Sequence, residues 1–239
     1  MRPLPRRALQ ALDRFNAARP WDHNAHYHRW LLRQLPRRFG SALDVGSGTG
    51  DLARLLATRA DHVLGIDSDP AITSRARALP PEPARTSFTV MDARTDLPAG
   101  PFDAITCVAT LHHLPFTETL PAFRSRLAPG GTLVVVGLYR PATFTDHALG
   151  AIAAPLNAAT GCLKNRSRRA PRPTPTTART RPADMPFTDI TREARTALPG
   201  AHLHRRLFWR YTLTWTNRVS SRLGVWTPAD PEEPCDRDR

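Results

Sequence analysis

Nine residues constrain this chain more than any others: Leu43-Asp44-Val45-Gly46-Ser47-Gly48-Thr49-Gly50-Asp51. The apolar run 41–45 enters a loop with glycine at every second position, and a helical pattern begins at Leu52. A strand, a glycine loop and a helix start in that order make a cradle for a ligand, because the helix start presents unpaired N–H groups. A dinucleotide loop, G-x-G-x-x-G, needs its third glycine one place later, where Asp51 stands. Asp44 at the strand end would repel a pyrophosphate and attract a ligand carrying an ammonium or sulfonium group. No G-x-x-x-x-G-K-[ST] loop is present, which disfavours a nucleoside triphosphate.

The following landmarks agree with a nucleoside-bearing ligand. Residues 62–66 predict a second strand ending in Asp67, seventeen residues past Gly50. A carboxylate there can accept from both ribose hydroxyls. Asp69-Pro70 reads as an N-cap followed by proline at the first helical position, opening a helix over 71–78. Residues 86–91 predict a third strand, followed by Asp92, which can accept from an adenine amine. Asp96 lies close enough in sequence to share that role.

On these residues the chain resembles the class I S-adenosylmethionine-dependent methyltransferases, most closely the small bacterial type 11 group. Asp44-x-Gly46-x-Gly48-x-Gly50 matches the first motif, Asp67 the ribose acid, and Asp92 with Ala93 the adenine site. Phe102-Asp103-Ala104-Ile105 through Leu111-His112-His113-Leu114 matches the fourth strand and its turn. Leu127-Ala128-Pro129-Gly130-Gly131-Thr132-Leu133 matches the turn before the fifth strand. The resemblance spans residues 21–215. It implies a Rossmann-like, doubly wound α/β sheet of seven strands, mostly parallel with a C-terminal antiparallel hairpin, and helices on both faces. It implies S-adenosylmethionine as methyl donor, no metal, and a small-molecule acceptor. The cofactor shell it implies is Trp21, Asp44, Gly46, Ser47, Gly48, Gly50, Asp67, Ser68, Asp92, Ala93 and Cys107.

Alternating strand and helix patterns over 40–138 independently predict a parallel sheet with right-handed crossovers. Tyr27, Trp30, Leu31 and Leu35 share one helical face before the first strand. Strand four is predicted over 102–108. Thr117 is expected to cap a helix carrying Leu120, Phe123 and Leu127, stopped by Pro129-Gly130-Gly131. Residues 132–138 form a continuous apolar run suited to a strand buried on both faces. An alanine-rich helix over 144–163, a helix over 188–198 and strands over 203–208 and 211–215 complete the pattern. Trp209, Tyr211 and Trp215 have strand spacing and read as core or sheet face rather than a base-stacking platform.

A length of 239 residues suits one domain over 1–239 with a core over 21–216. Residues 164–186 are rich in Arg, Pro and Thr, cannot build a core, and are expected to form a mobile loop. The tail 228–239 is expected to be disordered. No run reaches membrane-span length, so no membrane partner is expected. Cys107, Cys162 and Cys235 form neither a disulfide framework nor a zinc spacing, and a cytoplasmic setting follows. The net charge of +13 is an electrostatic flag for an anionic partner. The chain holds 34 Lys and Arg of which only Lys164 is lysine, a bias that a G/C-rich genome produces without such a partner. Two rival functions remain open: an RNA methyltransferase using the Arg-rich segment 164–182 as a phosphate clamp, and a non-catalytic binding domain.

Methyl transfer from a sulfonium is an in-line displacement whose leaving thioether is neutral, so the enzyme mainly positions the reactants. A base is required only for a protonated acceptor. The candidates for contact with the acceptor are His113, beside His112 after strand four, His26 on the first helix, and Tyr139, beside Arg140 at the end of strand five. His26 and His28 are two apart, diverge on a helix and make no metal pair. Cys107 lacks the Pro-Cys context of pyrimidine C5 methylation. No Asn-Pro-Pro-aromatic motif for exocyclic amine methylation is present.

Overall fold

The structure is a computed structural model that describes residues 22–80, 85–166 and 181–218. Trp21, the greater part of the Arg/Pro-rich segment and the tail from Pro228 lie outside the described residues.

The most apolar runs, 42–45, 104–107 and 133–137, become inner strands covered on both faces. β1 (Phe39–Val45), β2 (Ala60–Asp67), β3 (Thr86–Val90), β4 (Phe102–Val108) and β5 (Leu127–Leu138) pair in parallel. β6 (His202–Arg206) and β7 (Arg210–Thr216) form the antiparallel hairpin, with β7 seated between β5 and β6. The order is β3-β2-β1-β4-β5-β7-β6, the mixed seven-stranded arrangement expected.

The strand period of two divides the core into two layers. Leu43, Val45, Leu133 and Val135 pack with Leu120 and Phe123 of α4 (Phe116–Arg126) and Ile190 and Ala194 of α6 (Phe187–Ala197). Their strand neighbours Ala42, Val134 and Val136 pack with Tyr27 and Leu31 of α1 (Ala25–Gln34) and with Leu52 and Leu56 of α2 (Asp51–Leu56). The second layer also holds Ala76 of α3 (Pro70–Ala78). The remaining helix, α5 (Phe144–Arg166), lies against the hairpin turn through Ala153 and Phe208. Tyr27 Oη donates to the Leu207 carbonyl at 2.6 Å and Arg210 Nη2 to Asn24 Oδ1 at 3.0 Å, so α1 is tied to the same turn.

Three local expectations are corrected. Pro115, not Thr117, is the N-cap of α4: it is extended and its carbonyl accepts the amides of Glu118 and Thr119, while Thr117 is exposed. Leu127 belongs to β5 and not to the helix, because it pairs with Phe102 across a register shift that absorbs Pro129-Gly130-Gly131 into the strand. The penultimate strand stops at Arg206, since Arg206 opposite Arg210 leaves residues 207–209 as the turn. Phe208 and Trp209 both take left-handed backbone there, at φ +59° and +58°, which bulky residues seldom adopt. Trp209 is therefore a turn residue, while Tyr211 and Trp215 are buried in the sheet.

Gly137 faces Tyr211 across β5 and β7, and a Cβ on Gly137 would overlap the Tyr211 ring. Gly137→Ala is expected to cost about 1–3 kcal/mol through overpacking, read as a lowered melting temperature.

Candidate active site

The glycine loop is clamped from several sides. The amides of Gly46 and Ser47 both donate to the Ile66 carbonyl, at 2.8 and 2.9 Å. The Gly48 amide donates to Asp67 Oδ2 at 3.0 Å, and the Asp69 amide to Asp67 Oδ1 at 3.0 Å. A Cβ at Gly46 would overlap Thr110, which follows β4, and one at Gly50 would overlap the Phe88 ring of β3. Gly48, at φ +54°, faces open space, so the loop is close-packed at both ends and vacant in the middle. Asp69 caps α3 as expected, accepting from the Ala71 amide at 2.8 Å ahead of Pro70.

Asp44 is 2% exposed and accepts a hydrogen bond from Thr106 Oγ1 at 2.7 Å. Burial pushes its carboxyl up to about 7; the Thr106 bond opposes the rise and nearby Asp67 adds to it. Among the described residues no ion pair reaches Asp44. A buried carboxyl beside a glycine loop with open space at Gly48 fits a ligand that brings positive charge. Asp67 is half-buried at the mouth of the loop, and Ser68 beside it is exposed. Asp92 is engaged by Arg94, whose Nη2 lies 2.6 Å from Oδ2, and the Arg94 side chain and amide hold its carboxyl below the usual range. A carboxylate with this partner keeps lone pairs for an amine. Ala93 packs against the first core layer. Asp96 is exposed and its Oδ1 accepts the Leu97 amide, so the structure turns it toward its own turn. Cys107 is fully buried, and desolvation pushes its thiol far up, which suits packing and not nucleophilic attack.

Beyond the ends of β4 and β5 lies a cavity of about 420 Å³. The short 3₁₀ turn Leu111–His113 supplies one wall, Leu138 and Tyr211 the floor strands, and Arg181, Ala183, Asp184, Met185 and Ile190 the far side. Arg140 draws that far side in: its amide donates to the Met185 carbonyl at 2.8 Å and its Nε to the Asp184 carbonyl at 2.9 Å. The rings of His112 and His113 lie 3.9 Å apart. Burial pushes His112 down to about 4, with His113 and Arg210 adding to the shift. Burial also lowers His113, assisted by Arg181 and Arg94. Both imidazoles are thus neutral near pH 7 and can accept a hydrogen bond, while His112, pushed down to about 4, is a poor proton acceptor. Arg94 and Arg181 line the cavity already paired, to Asp92 and Asp184.

The structure brings His113 to the cavity but not the other two acceptor candidates. Tyr139 is buried, packs edge-on against Phe187, and has its hydroxyl pKa raised by burial. His26 is exposed and packs edge-on against Tyr27 and Phe208. Asp184 and Met185 were not singled out by sequence reasoning, and Arg181 was read only as part of the Arg-rich segment, because no local signal ties a segment to a strand more than forty residues earlier. Among the described residues no group of three or more His, Cys, Asp or Glu could hold a metal.

Residues 42–131 match the family model described as a methyltransferase domain. The chain is 31% identical over 201 residues to an uncharacterized methyltransferase of Mycobacterium tuberculosis, covering 82% of this chain and 96% of that protein. It is 37% identical over 135 residues to the trans-aconitate 2-methyltransferase of Streptomyces avermitilis, covering 53% of this chain and 50% of the relative. The N-methyltransferase NodS from Bradyrhizobium japonicum, solved with S-adenosylhomocysteine, shares the fold at TM-score 0.56 and 18% identity, over 87% of this chain and 97% of that one. The chain belongs to the class I S-adenosylmethionine-dependent methyltransferases.

Asp44 also sets a pH dependence. Its folded pKa of about 7 stands above the ordinary 3.8, so between these values the folded chain holds a proton the unfolded chain has lost. Stability from this group falls as pH rises across that window and levels off above it. Urea unfolding at pH 5 and pH 8 should show a larger loss for the wild type than for Asp44→Asn.

Proposed function

We propose that the enzyme transfers the methyl group of S-adenosylmethionine to a small molecule seated in the cavity beside His112 and His113. One observation carries this reading: a cavity of about 420 Å³ stands beyond β4 and β5, at the size of a single small-molecule site, and its wall Leu111–His113 directly follows Thr110, which packs at Gly46 of the glycine loop. The relative named as a trans-aconitate 2-methyltransferase, whose named acceptor is a small molecule, supports it.

Asp44 would face the positive charge of the donor, Asp67 the ribose hydroxyls and Asp92 the adenine amine. The vacant middle of the loop at Gly48 would leave room for the chain between them. When bound, S-adenosylmethionine supplies a methyl group on a sulfonium and departs as a neutral thioether. The protein therefore needs no acid for the leaving group, and its work is alignment and exclusion of water. The cavity walls are mixed: Leu111, Leu114, Phe116, Leu138, Met185 and Ile190 displace water from the acceptor, while Arg94, His112, His113, Arg181 and Asp184 offer polar contacts. His113, held neutral, is positioned to take the proton of an acceptor O–H or N–H.

S-adenosylhomocysteine is expected to raise the melting temperature, because a ligand that binds the folded state stabilises it by mass action. Asp67→Ala should weaken that ligand about tenfold or more, with two ribose hydrogen bonds lost. No melting shift at saturating ligand in the wild type would remove the donor assignment.

Leu114→Trp, which fills the cavity, should keep the ligand-induced melting shift and lose turnover in a screen of small acceptors followed by S-adenosylhomocysteine release. Turnover on total RNA with every small acceptor inert would instead make the acceptor a polymer.

A further inference from the structure

The cavity beyond β4 and β5 holds more positive charge than its own acids answer. Arg94 and Arg181 line it against a single lining carboxylate, Asp184. Arg94 donates to Asp92 through Nε and Nη2, and its Nη1 has no protein partner among the described residues. Arg181 donates to Asp184 through Nη2 alone, at 3.0 Å, which leaves Nε and Nη1 without a protein partner among the described residues. Both members of that pair are exposed, and an exposed pair is weak enough to yield to a competing anion.

Arg210 adds to the same field. It opens β7, one residue before Tyr211 of the cavity lining, and its charge acts on His112. Its Nη1 donates to the Phe208 carbonyl and its Nη2 to Asn24 Oδ1, both neutral acceptors, and its buried Nε has no partner. Among the described residues no ion pair reaches it, and Asp22 acts on it only through space. Arg94, Arg181 and Arg210 thus stand against Asp92 and Asp184, a surplus of one positive charge beside two neutral imidazoles. The buried Nδ1 of His112, also without a hydrogen-bond partner among the described residues, lies in the same wall.

This arrangement selects among acceptors. A cationic acceptor is repelled by the guanidinium groups, and a neutral one leaves their N–H donors unanswered. A carboxylate matches a guanidinium in charge and in planar geometry, and its single charge equals the surplus. The apolar residues of the wall suit a hydrocarbon body. We propose that the methyl acceptor carries a carboxylate on an apolar body, and that Arg181 and Arg94 recognise that carboxylate. The inference rests on the small-molecule reading of this cavity and specifies the class of molecule. It also links recognition to chemistry. Burial lowers His113 first, and Arg181 and Arg94 lower it further. A bound carboxylate opposes the part due to the arginines, so His113 becomes a better base when such an acceptor arrives.

The probes are benzoate, phenylacetate and cinnamate, each beside its primary amide, together with phenyl phosphate. Each is titrated into the full chain saturated with S-adenosylhomocysteine, and binding is read by saturation-transfer NMR and by the added melting shift. The acids should bind about tenfold tighter than their amides or than phenyl phosphate. Leu114→Trp should abolish acid binding, which assigns it to the cavity. Arg181→Gln should weaken the acids about tenfold and leave the amides unchanged. Asp184→Asn, which removes the competing carboxylate, should tighten the acids. Opposite signs at two exposed neighbours separate recognition from lost structure, and the melting shift with S-adenosylhomocysteine alone reports the donor site on the same samples. The proposal is overturned if no acid binds, if the amides or phenyl phosphate bind as well as the acids, or if Arg181→Gln binds the acids like the wild type. Amides bound in the cavity without the acids would leave the small-molecule site standing and remove the carboxylate alone. Turnover of RNA with every small probe unbound would remove both.

Discussion

Two amides on one carbonyl hold the molecule's working end together. Gly46 and Ser47 both donate to Ile66, which fixes the end of β1 against the end of β2. The same loop admits Thr110 at Gly46 and Phe88 at Gly50, so β4 and β3 reach it as well. Residues in or just after four strands thereby converge on residues 46–50, and the approaches of Thr110 and Phe88 do not survive a side chain at Gly46 and Gly50. Asp67 closes the arrangement from below, spending one oxygen on Gly48 and the other on Asp69. A carboxylate has lone pairs left after two such bonds, so the group that braces the loop stays able to receive a ligand.

Charge is divided along the sheet. Asp44, Asp67 and Asp92 stand in or after β1, β2 and β3, while the imidazoles of His112 and His113 stand after β4. The division falls between β1 and β4, where the strand order reverses and helices depart to opposite faces. Acids meet on one side of that switch and neutral bases on the other. The burial of Asp44 and of His112 moves both toward neutrality, one by raising its pKa and the other by lowering it.

Much of this was legible in the sequence where the signal is local. β4 falls over the predicted residues, Asp69-Pro70 opens α3 as cap and first turn, and the continuous apolar run in β5 is buried on both faces, its residues divided between two layers. Elements set by long-range contact were not legible. Thr117 has the chemistry of a cap, yet the extended proline before it takes that position. Phe208 and Trp209 carry none of the Gly, Asn or Asp that marks left-handed turns, and it is packing against α1 and α5 that holds them there. In the site, the loop and its acids follow from spacing alone. The pairing of Arg94 with Asp92, and the return of residues 181–185 to β5, depend on the folded chain.

The placement of β7 has a consequence for how the protein is made. β5 is paired with β4 on one edge, but its other edge is covered only by β7, and β7 ends at Thr216. A ribosome releasing this chain from its N-terminus exposes the run Leu133-Val134-Val135-Val136 long before the strand that shields it has left the exit tunnel. An apolar strand edge left open for that interval is a template for pairing with another nascent chain. The hairpin is thus a late seal, and a message truncated before it would yield a sheet whose most apolar strand, β5, is an open edge.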